Sequence, residues 1–152
     1  VNHDVATVDE QTPLAEVTDA LILSPFKRVI VIDDERRVKG IISDVDVLAR
    51  MQEDMRPSLL TWLTGRSRNR QKRPVTASLR AHLPKAQVAA DIMNREVVTV
   101  LETASVQETI ERMIATRRKI LPVVRTQGQL VGIVGRSDLL RVLIEDNQQH
   151  DQ

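Results

Sequence analysis

Val38-Lys-Gly-Ile-Ile-Ser-Asp-Val-Asp46 and Leu130-Val-Gly-Ile-Val-Gly-Arg-Ser-Asp138 are one stretch of chain written twice, 92 residues apart. From this anchor the correspondence runs outward without a gap, laying Val5–Met51 on Val97–Leu143. Identities include Thr7/Thr99, Glu16/Glu108, Lys27/Lys119, Gly40/Gly132 and Asp46/Asp138, and most other core-type pairs exchange one aliphatic for another. Such a repeat divides the chain into equivalent units before any finer reading.

Each unit reads as β-α-β-β-α. In the second, Val97–Val100 is a short β-branched strand. Ser105 with Glu108 forms a capping box ahead of Val106, Ile110, Met113 and Ile114 at helical spacing. Lys119–Val124 and Leu130–Val134 are strands around a Gly128 turn, and Ser137 is read as the cap of a last helix. The first unit repeats this as Ala6–Val8, Pro13–Leu23, Arg28–Asp33, Val38–Ile42 and Asp44–Met55, with Pro13 in the first helical turn. A sheet of about three strands does not stand alone, so the units are expected to pack sheet-to-sheet into one pseudo-symmetric α/β body of α+β type.

The expected divisions are 1–55, a first unit; 56–87, a basic insert; 88–145, a second unit; and 146–152, a polar tail. Val1 aligns with Met93, so the first unit lacks a counterpart to Val88–Ile92 and reads as starting inside a motif, an excised piece of a longer protein. Residues 56–90 hold eight basic residues and no acidic one, against a whole-chain net charge of only +1. Within the insert, Trp62 lies on a short helical pattern and Arg66–Arg73 on a basic run without an aromatic for base stacking.

The chain has no Cys, one Phe, one Trp and no Tyr, so the core is aliphatic and no disulfide or thiolate metal site exists. No apolar run reaches the ~20 residues that span a bilayer, and no signal peptide is visible. A cytoplasmic setting is expected. His3, His82 and His150 are scattered, and no nucleophile–base set or paired-carboxylate site emerges, so the reading is of a binding module, not an enzyme.

These two units, with the Ala89-Ala-Asp-Ile-Met93 lead-in and the Lys119-Ile-Leu-Pro-Val-Val124 strand, resemble a tandem pair of CBS domains, a Bateman module. The resemblance covers 1–55 and 88–145 and implies a regulatory module that binds an adenine nucleotide (AMP, ADP or ATP), with no metal. In the family, the Asp of Gly-x-x-Ser/Thr-x-x-Asp bonds the ribose hydroxyls and the Ser/Thr helps hold phosphate. That carries over to Gly40, Ser43 and Asp46. A carboxylate can accept from two adjacent hydroxyls, and a helix N-terminus offers free N–H groups to an anion. The same spacing also describes an ordinary N-cap and N3 acid. In the second copy Gly135 replaces the Ser, while Asp138 and the neighbouring Ser137 remain, so the clefts are expected to be unequal.

Basic residues before the second strand reach phosphates in the family, which singles out Lys27-Arg28 in the first unit and the run Arg117-Arg118-Lys119 in the second, with Arg136 beside the last helix. Thr7 and Thr99, at the first strands, face base and ribose by the same resemblance. The family forms disc-like assemblies, and Leu48, Met51, Met55, Leu140, Leu143 and Ile144 make apolar helix faces for a homodimer. An attached or partner effector is implied. Two other readings stay open: a ligand-free dimerisation scaffold, and a nucleic-acid adaptor working through 66–73.

Overall fold

The computed structural model describes residues 2–52 and 87–150. The insert's basic run, Trp62 and Met55 lie outside them. The first unit consists of β1 (Thr7–Val8), α1 (Leu14–Leu23), β2 (Arg28–Ile32), β3 (Val38–Ser43) and a helix α2 that starts at residue 44 and is described to 52. The second consists of a lead-in helix α3 (Ala89–Ile92), β4 (Val100–Leu101), α4 (Val106–Thr116), β5 (Ile120–Val124), β6 (Leu130–Gly135) and α5 (Arg136–His150). Each sheet has three strands, in the orders β1-β2-β3 and β4-β5-β6, the first pair parallel and the second antiparallel.

The 92-residue offset survives in the hydrogen-bond register. Val8 pairs with Val31 and Val100 with Val123, and the irregularities fall at Val31/Ile32 and Val123/Val124. One departure has a covalent cause. In the first sheet the Ile30 N–H donates to Ala6 O at 3.0 Å. Its counterpart is Pro122, which has no N–H to give. The second sheet accordingly loses the pairing equivalent to Thr7 with Ile30, and β4 starts at Val100 rather than at Thr99.

The helices follow their sequence signals. Ser105 Oγ accepts the Glu108 N–H at 3.1 Å and Glu108 Oε2 accepts the Ser105 N–H at 3.1 Å, the reciprocal cap expected there. Thr109 and Met113 are the buried face of α4, while Ile114 turns outward. Pro13 is the N-cap of α1, one residue ahead of the expected first turn. Ser137 is not a cap: α5 already starts at Arg136, Ser137 lies exposed in its first turn, and the Gly135 N–H is held by Asp138 Oδ2 at 2.8 Å.

The two sheets meet across a shared cluster of Ile30, Leu130 and Ile133, flanked by Val5, Phe26, Ile32, Val38, Ile41 and Ile120. This is the expected sheet-to-sheet packing. A pseudo-twofold axis runs through the joint. Asn2 and Ile133 exchange N–H···O bonds of 2.9 Å in both directions, and their repeat counterparts Asn94 and Ile41 exchange bonds of 2.9 and 3.0 Å. Arg37 and Gln129 pair with each other across the axis.

The exchange extends to the core. Helix α3 precedes the second unit but packs into the first: Ala89 and Met93 are buried among Leu14, Val17, Leu21, Val29, Val31, Ile42 and Val47. Its backbone is tied there by Ala89 N–H to Thr12 O and Ala90 N–H to Glu10 O, at 2.9 and 3.0 Å. In the second unit the corresponding residues, including Glu102, Ala104, Val106, Thr109 and Leu139, line an open cavity of about 140 Å³.

Candidate functional site

The residues with ligand-type chemistry gather where β3 runs directly into α2. The chain turns at Ser43, whose N–H and Oγ both donate to Asp46 Oδ2, at 2.8 and 3.0 Å, while the Asp46 N–H lies 3.3 Å from Ser43 Oγ. These bonds pre-set the carboxylate beside the first turn of the helix, where the positive end of the peptide dipoles lies.

Facing this turn across the joint is the start of the second unit's hairpin. A cleft of about 290 Å³ is lined by Arg28, Ile41, Ser43 and Asp46 from one side and by Asn94, Arg117, Arg118, Lys119 and Ile120 from the other. Four cations and a hydroxyl thus share one cavity with a single carboxylate. Arg117 adopts a left-handed conformation (φ 54°) as the C-cap of α4, and this turns the Arg-Arg-Lys run towards the cleft. Arg28 is partly engaged by Asp44, 3.9 Å away. Arg118 and Lys119 are exposed. Such a constellation can hold a polyanion by several charge-assisted bonds while a carboxylate takes hydroxyls.

The structure brings together Ser43, Asp46, Arg28 and the Arg117-Arg118-Lys119 run from the sequence reading, and adds Asn94. The other expected residues lie elsewhere. Lys27 sits at positive φ and sends Nζ to the Ile22 carbonyl at 3.0 Å, at the end of α1. Gly40 is buried, and a Cβ on it would meet Met93 Sδ at 2.6 Å; its smallness serves the lead-in helix. Thr7 lines a separate depression with His3 and Ser24. Thr99 gives its carbonyl to Arg112 Nε at 2.6 Å, beside Glu108 and Glu111. Asp138 holds the Gly135 turn and faces Arg141 at 3.8 Å, and Ser137 is exposed on α5.

Arg136 rims a different depression, of about 420 Å³, between α4 and α5, floored by Ile110, Met113, Ile114, Leu139, Leu140 and Leu143 and sharing Arg117–Lys119 with the polar cleft. Leu140, Leu143 and Ile144 are exposed on this face, as Leu48 is on α2, whereas Met51 packs partly against the first core. The Arg117-Arg118-Lys119 run was visible in the sequence, but Asn94 was not: it enters the cleft through the exchanged bridge to Ile41, which no local pattern signals.

Among the described residues, no group of three or more His, Asp or Glu side chains could hold a metal ion, and no helix is long and apolar enough to cross a membrane.

Comparison with known proteins converges on one family. A CBS domain-containing protein of Dictyostelium discoideum is 30% identical over 145 residues, covering 95% of this chain and 88% of its own. The chloroplastic CBS domain-containing protein CBSX1 of Arabidopsis thaliana is 24% identical over 159 residues, 99% of this chain. The chain spans 64% of the length of CBSX1 and 57% of that of its relative CBSX2. Among solved structures, CBSX2 in complex with AMP aligns with a TM-score of 0.66 at 21% identity, covering 95% of this chain and 90% of its own. The CBS domain pair of protein MJ0100, with 5′-methylthioadenosine and S-adenosyl-L-methionine, aligns at 0.66 and 18%, covering 96% and 93%. The cytosolic domain of the Mg2+ channel MgtE, with ATP, aligns at 0.63 and 23%, covering 92% and 45%. At these identities the structures share the fold. The CBS domain family itself matches residues 1–53 and 88–145, so the chain belongs to that family and carries two copies of its domain.

Proposed function

We propose that this chain is a non-catalytic regulatory module that binds an adenine nucleotide, AMP, ADP or ATP, in the Ser43/Asp46 cleft and conveys its occupancy to an attached or partner protein. The observation that carries the reading is the convergence of Arg28, Arg117, Arg118 and Lys119 on the Ser43–Asp46 turn. Phosphates would lie among the cations and near the start of α2. Asp46, whose bonds from the Ser43 N–H and Oγ–H both fall on Oδ2, would take ribose hydroxyls. Relatives of this fold are known with AMP, with ATP and with S-adenosyl compounds, which supports an adenosine-type ligand.

The cleft is built from both units, so a ligand in it senses their relative placement. Regulation would follow by population shift: a ligand that bridges Asp46 and Arg118 favours whichever packing of the two halves brings them within reach of one molecule. Homodimerisation through the exposed faces of α2 and α5, in a cytoplasmic setting, completes the proposal.

A thermal-shift panel of AMP, ADP, ATP and S-adenosylmethionine tests it. A nucleotide at 100 times its Kd should stabilise the fold by about 2.7 kcal/mol, a midpoint several degrees higher. No shift with any of the four overturns the reading and favours the scaffold alternative, which the exposed Leu48, Leu140 and Ile144 support.

A further inference from the structure

The pseudo-twofold that relates the two units also relates the two ends of their joint, and it makes the second end a test of the first. The counterpart of Ser43/Asp46 is Gly135/Asp138, where the carboxylate again holds the turn, Asp138 Oδ2 accepting the Gly135 N–H at 2.8 Å. What faces that turn is different. Arg118 is among the residues that face Ser43 and Asp46 across the first cleft; 92 positions earlier, the same repeat position holds Phe26. Phe26 Cε1 lies 3.4 Å from the point a Cβ on Gly135 would occupy, next to Asp138 Oδ2 at 3.7 Å. The ring is half-buried and belongs to the central cluster with Ile30, Leu130 and Ile133.

The remaining cations of the first cleft have no working equivalents here. Arg117 corresponds to Pro25 and Arg28 to Ile120. Lys119 corresponds to Lys27, whose ammonium is directed to the Ile22 carbonyl at 3.0 Å. A phosphate arriving at this end would meet a hydrocarbon ring in place of Arg118, while Arg141 is engaged by Asp138 at 3.8 Å and Arg136 rims the other depression, so the phosphate would shed water with little replacement.

We infer that Phe26 closes the second cleft, so that one chain takes one phosphorylated nucleotide, at the Ser43/Asp46 end only. This rests on the nucleotide reading of the first cleft. It makes Phe26, and not only the loss of the Ser43 hydroxyl at Gly135, the residue that sets stoichiometry: a side chain restored at Gly135 alone would still lie against the Phe26 ring, whose Cε1 is 3.4 Å from the Cβ position.

Titration calorimetry of the whole chain with AMP and with ATP tests the inference. The native chain should bind one molecule per chain. Asp46→Ala should weaken that single event as a whole. Phe26→Arg with Gly135→Ser, which removes the ring and restores at the second end the counterparts of Arg118 and Ser43, should raise the stoichiometry to two. Two molecules per native chain, or a residual event of native affinity in Asp46→Ala, overturns the role of Phe26 while leaving the nucleotide reading intact. So does a folded double variant that still binds one. If that variant does not fold, the native and Asp46→Ala titrations decide by themselves. No binding by the native chain overturns the nucleotide reading and this inference with it.

Discussion

Oδ2 of Asp46 accepts both the N–H and the Oγ of Ser43, at 2.8 and 3.0 Å, whereas its repeat counterpart Asp138 accepts only the Gly135 N–H. The same pair of residues is therefore a helix cap and a candidate ligand site at once. The two roles are not exclusive, because the cap engages one oxygen edge and fixes the other for an incoming donor.

Replacing Asp46 by Ala should cost nucleotide affinity about 2–3 kcal/mol, taking ~1–1.5 for each ribose hydroxyl bond lost. Asp138→Ala should change affinity little. Each also loses a cap bond, about 1 kcal/mol of stability, so the melting midpoint of the free protein must be measured beside the binding. Calorimetry with the opposite ranking of the two variants would move the site to the second cleft.

Arg118 should discriminate phosphate, not adenosine. It is exposed and lines the cleft among three other cations. Arg118→Ala is expected to weaken ATP about tenfold, the loss of one charge-assisted bond, and to leave adenosine unaffected. Its contribution should fall as salt rises, because exposed charges are screened. Equal losses for ATP and adenosine would mean that Arg118 acts on the fold.

Gly40 should matter for packing. A Cβ there would meet Met93 Sδ, Cγ and Cβ at 2.6, 2.8 and 2.9 Å, so the whole Met93 side chain, not only its tip, must move. Gly40→Ala should destabilise by about 1–3 kcal/mol. Combined with Met93→Ala, it should cost less than the sum of the single changes, because the second removes what the first collides with. Denaturant unfolding of the four chains measures this coupling, and strict additivity would contradict it.

The fold was legible where it rests on the repeat. The strand register and its irregularities follow the 92-residue correspondence, and the reciprocal cap at Ser105 follows its local Ser-x-x-Glu pattern. What the alignment could not convey is where a segment goes. It places Ala89–Met93 before the second unit, yet those residues enter the first core, and Gly40, carried over as part of the ligand motif, is room for Met93. Identity also concealed divergence. Lys27 and Lys119 are the same residue at the same repeat position. A left-handed turn at Lys27 in one unit and at Arg117 in the other sends their chains to different partners. Of the site, the Ser43–Asp46 turn and the basic run could be read. Their meeting across the pseudo-twofold is a tertiary fact.

Acid should release the first hairpin turn. The Asp33 carboxyl is held below its ordinary pKa, chiefly by the Arg37 N–H at 2.8 Å, with the Glu35 N–H and the charges of Lys39 and Arg37 adding to it. A group whose folded pKa is depressed stabilises fully above its unfolded pKa, about 3.9, and loses that contribution as pH falls through the folded value. The gap in melting midpoint between the native chain and Asp33→Asn should thus be constant above about pH 5 and shrink below about pH 4. A gap that does not vary with pH would assign the effect to geometry instead of charge.

The two hairpin turns offer a controlled comparison of backbone strain. Arg36 has φ +63° and its counterpart Gly128 has φ +86°, so one unit asks an arginine to hold a conformation for which the other uses glycine. No heavy atom lies within 4 Å of a Cβ added to Gly128, so a substitution there reports on the backbone alone. Holding a side-chain residue left-handed costs about 1–2 kcal/mol, and glycine's extra freedom in the unfolded chain offsets roughly half. Arg36→Gly should therefore raise stability by only about 0.5 kcal/mol. Gly128→Arg, further from the left-handed minimum, should lower it by about 1 kcal/mol or more. The loss should also reach the joint, because the Gly128 and Arg36 carbonyls accept the Val38 and Leu130 N–H groups of the opposite units, at 3.1 and 2.8 Å. Denaturant unfolding with nucleotide affinity measured in parallel checks both parts. A Gly128→Arg chain as stable as the native one would show that the turn relaxes without cost, and unchanged affinity in a destabilised chain would show that the turn and the cleft are uncoupled.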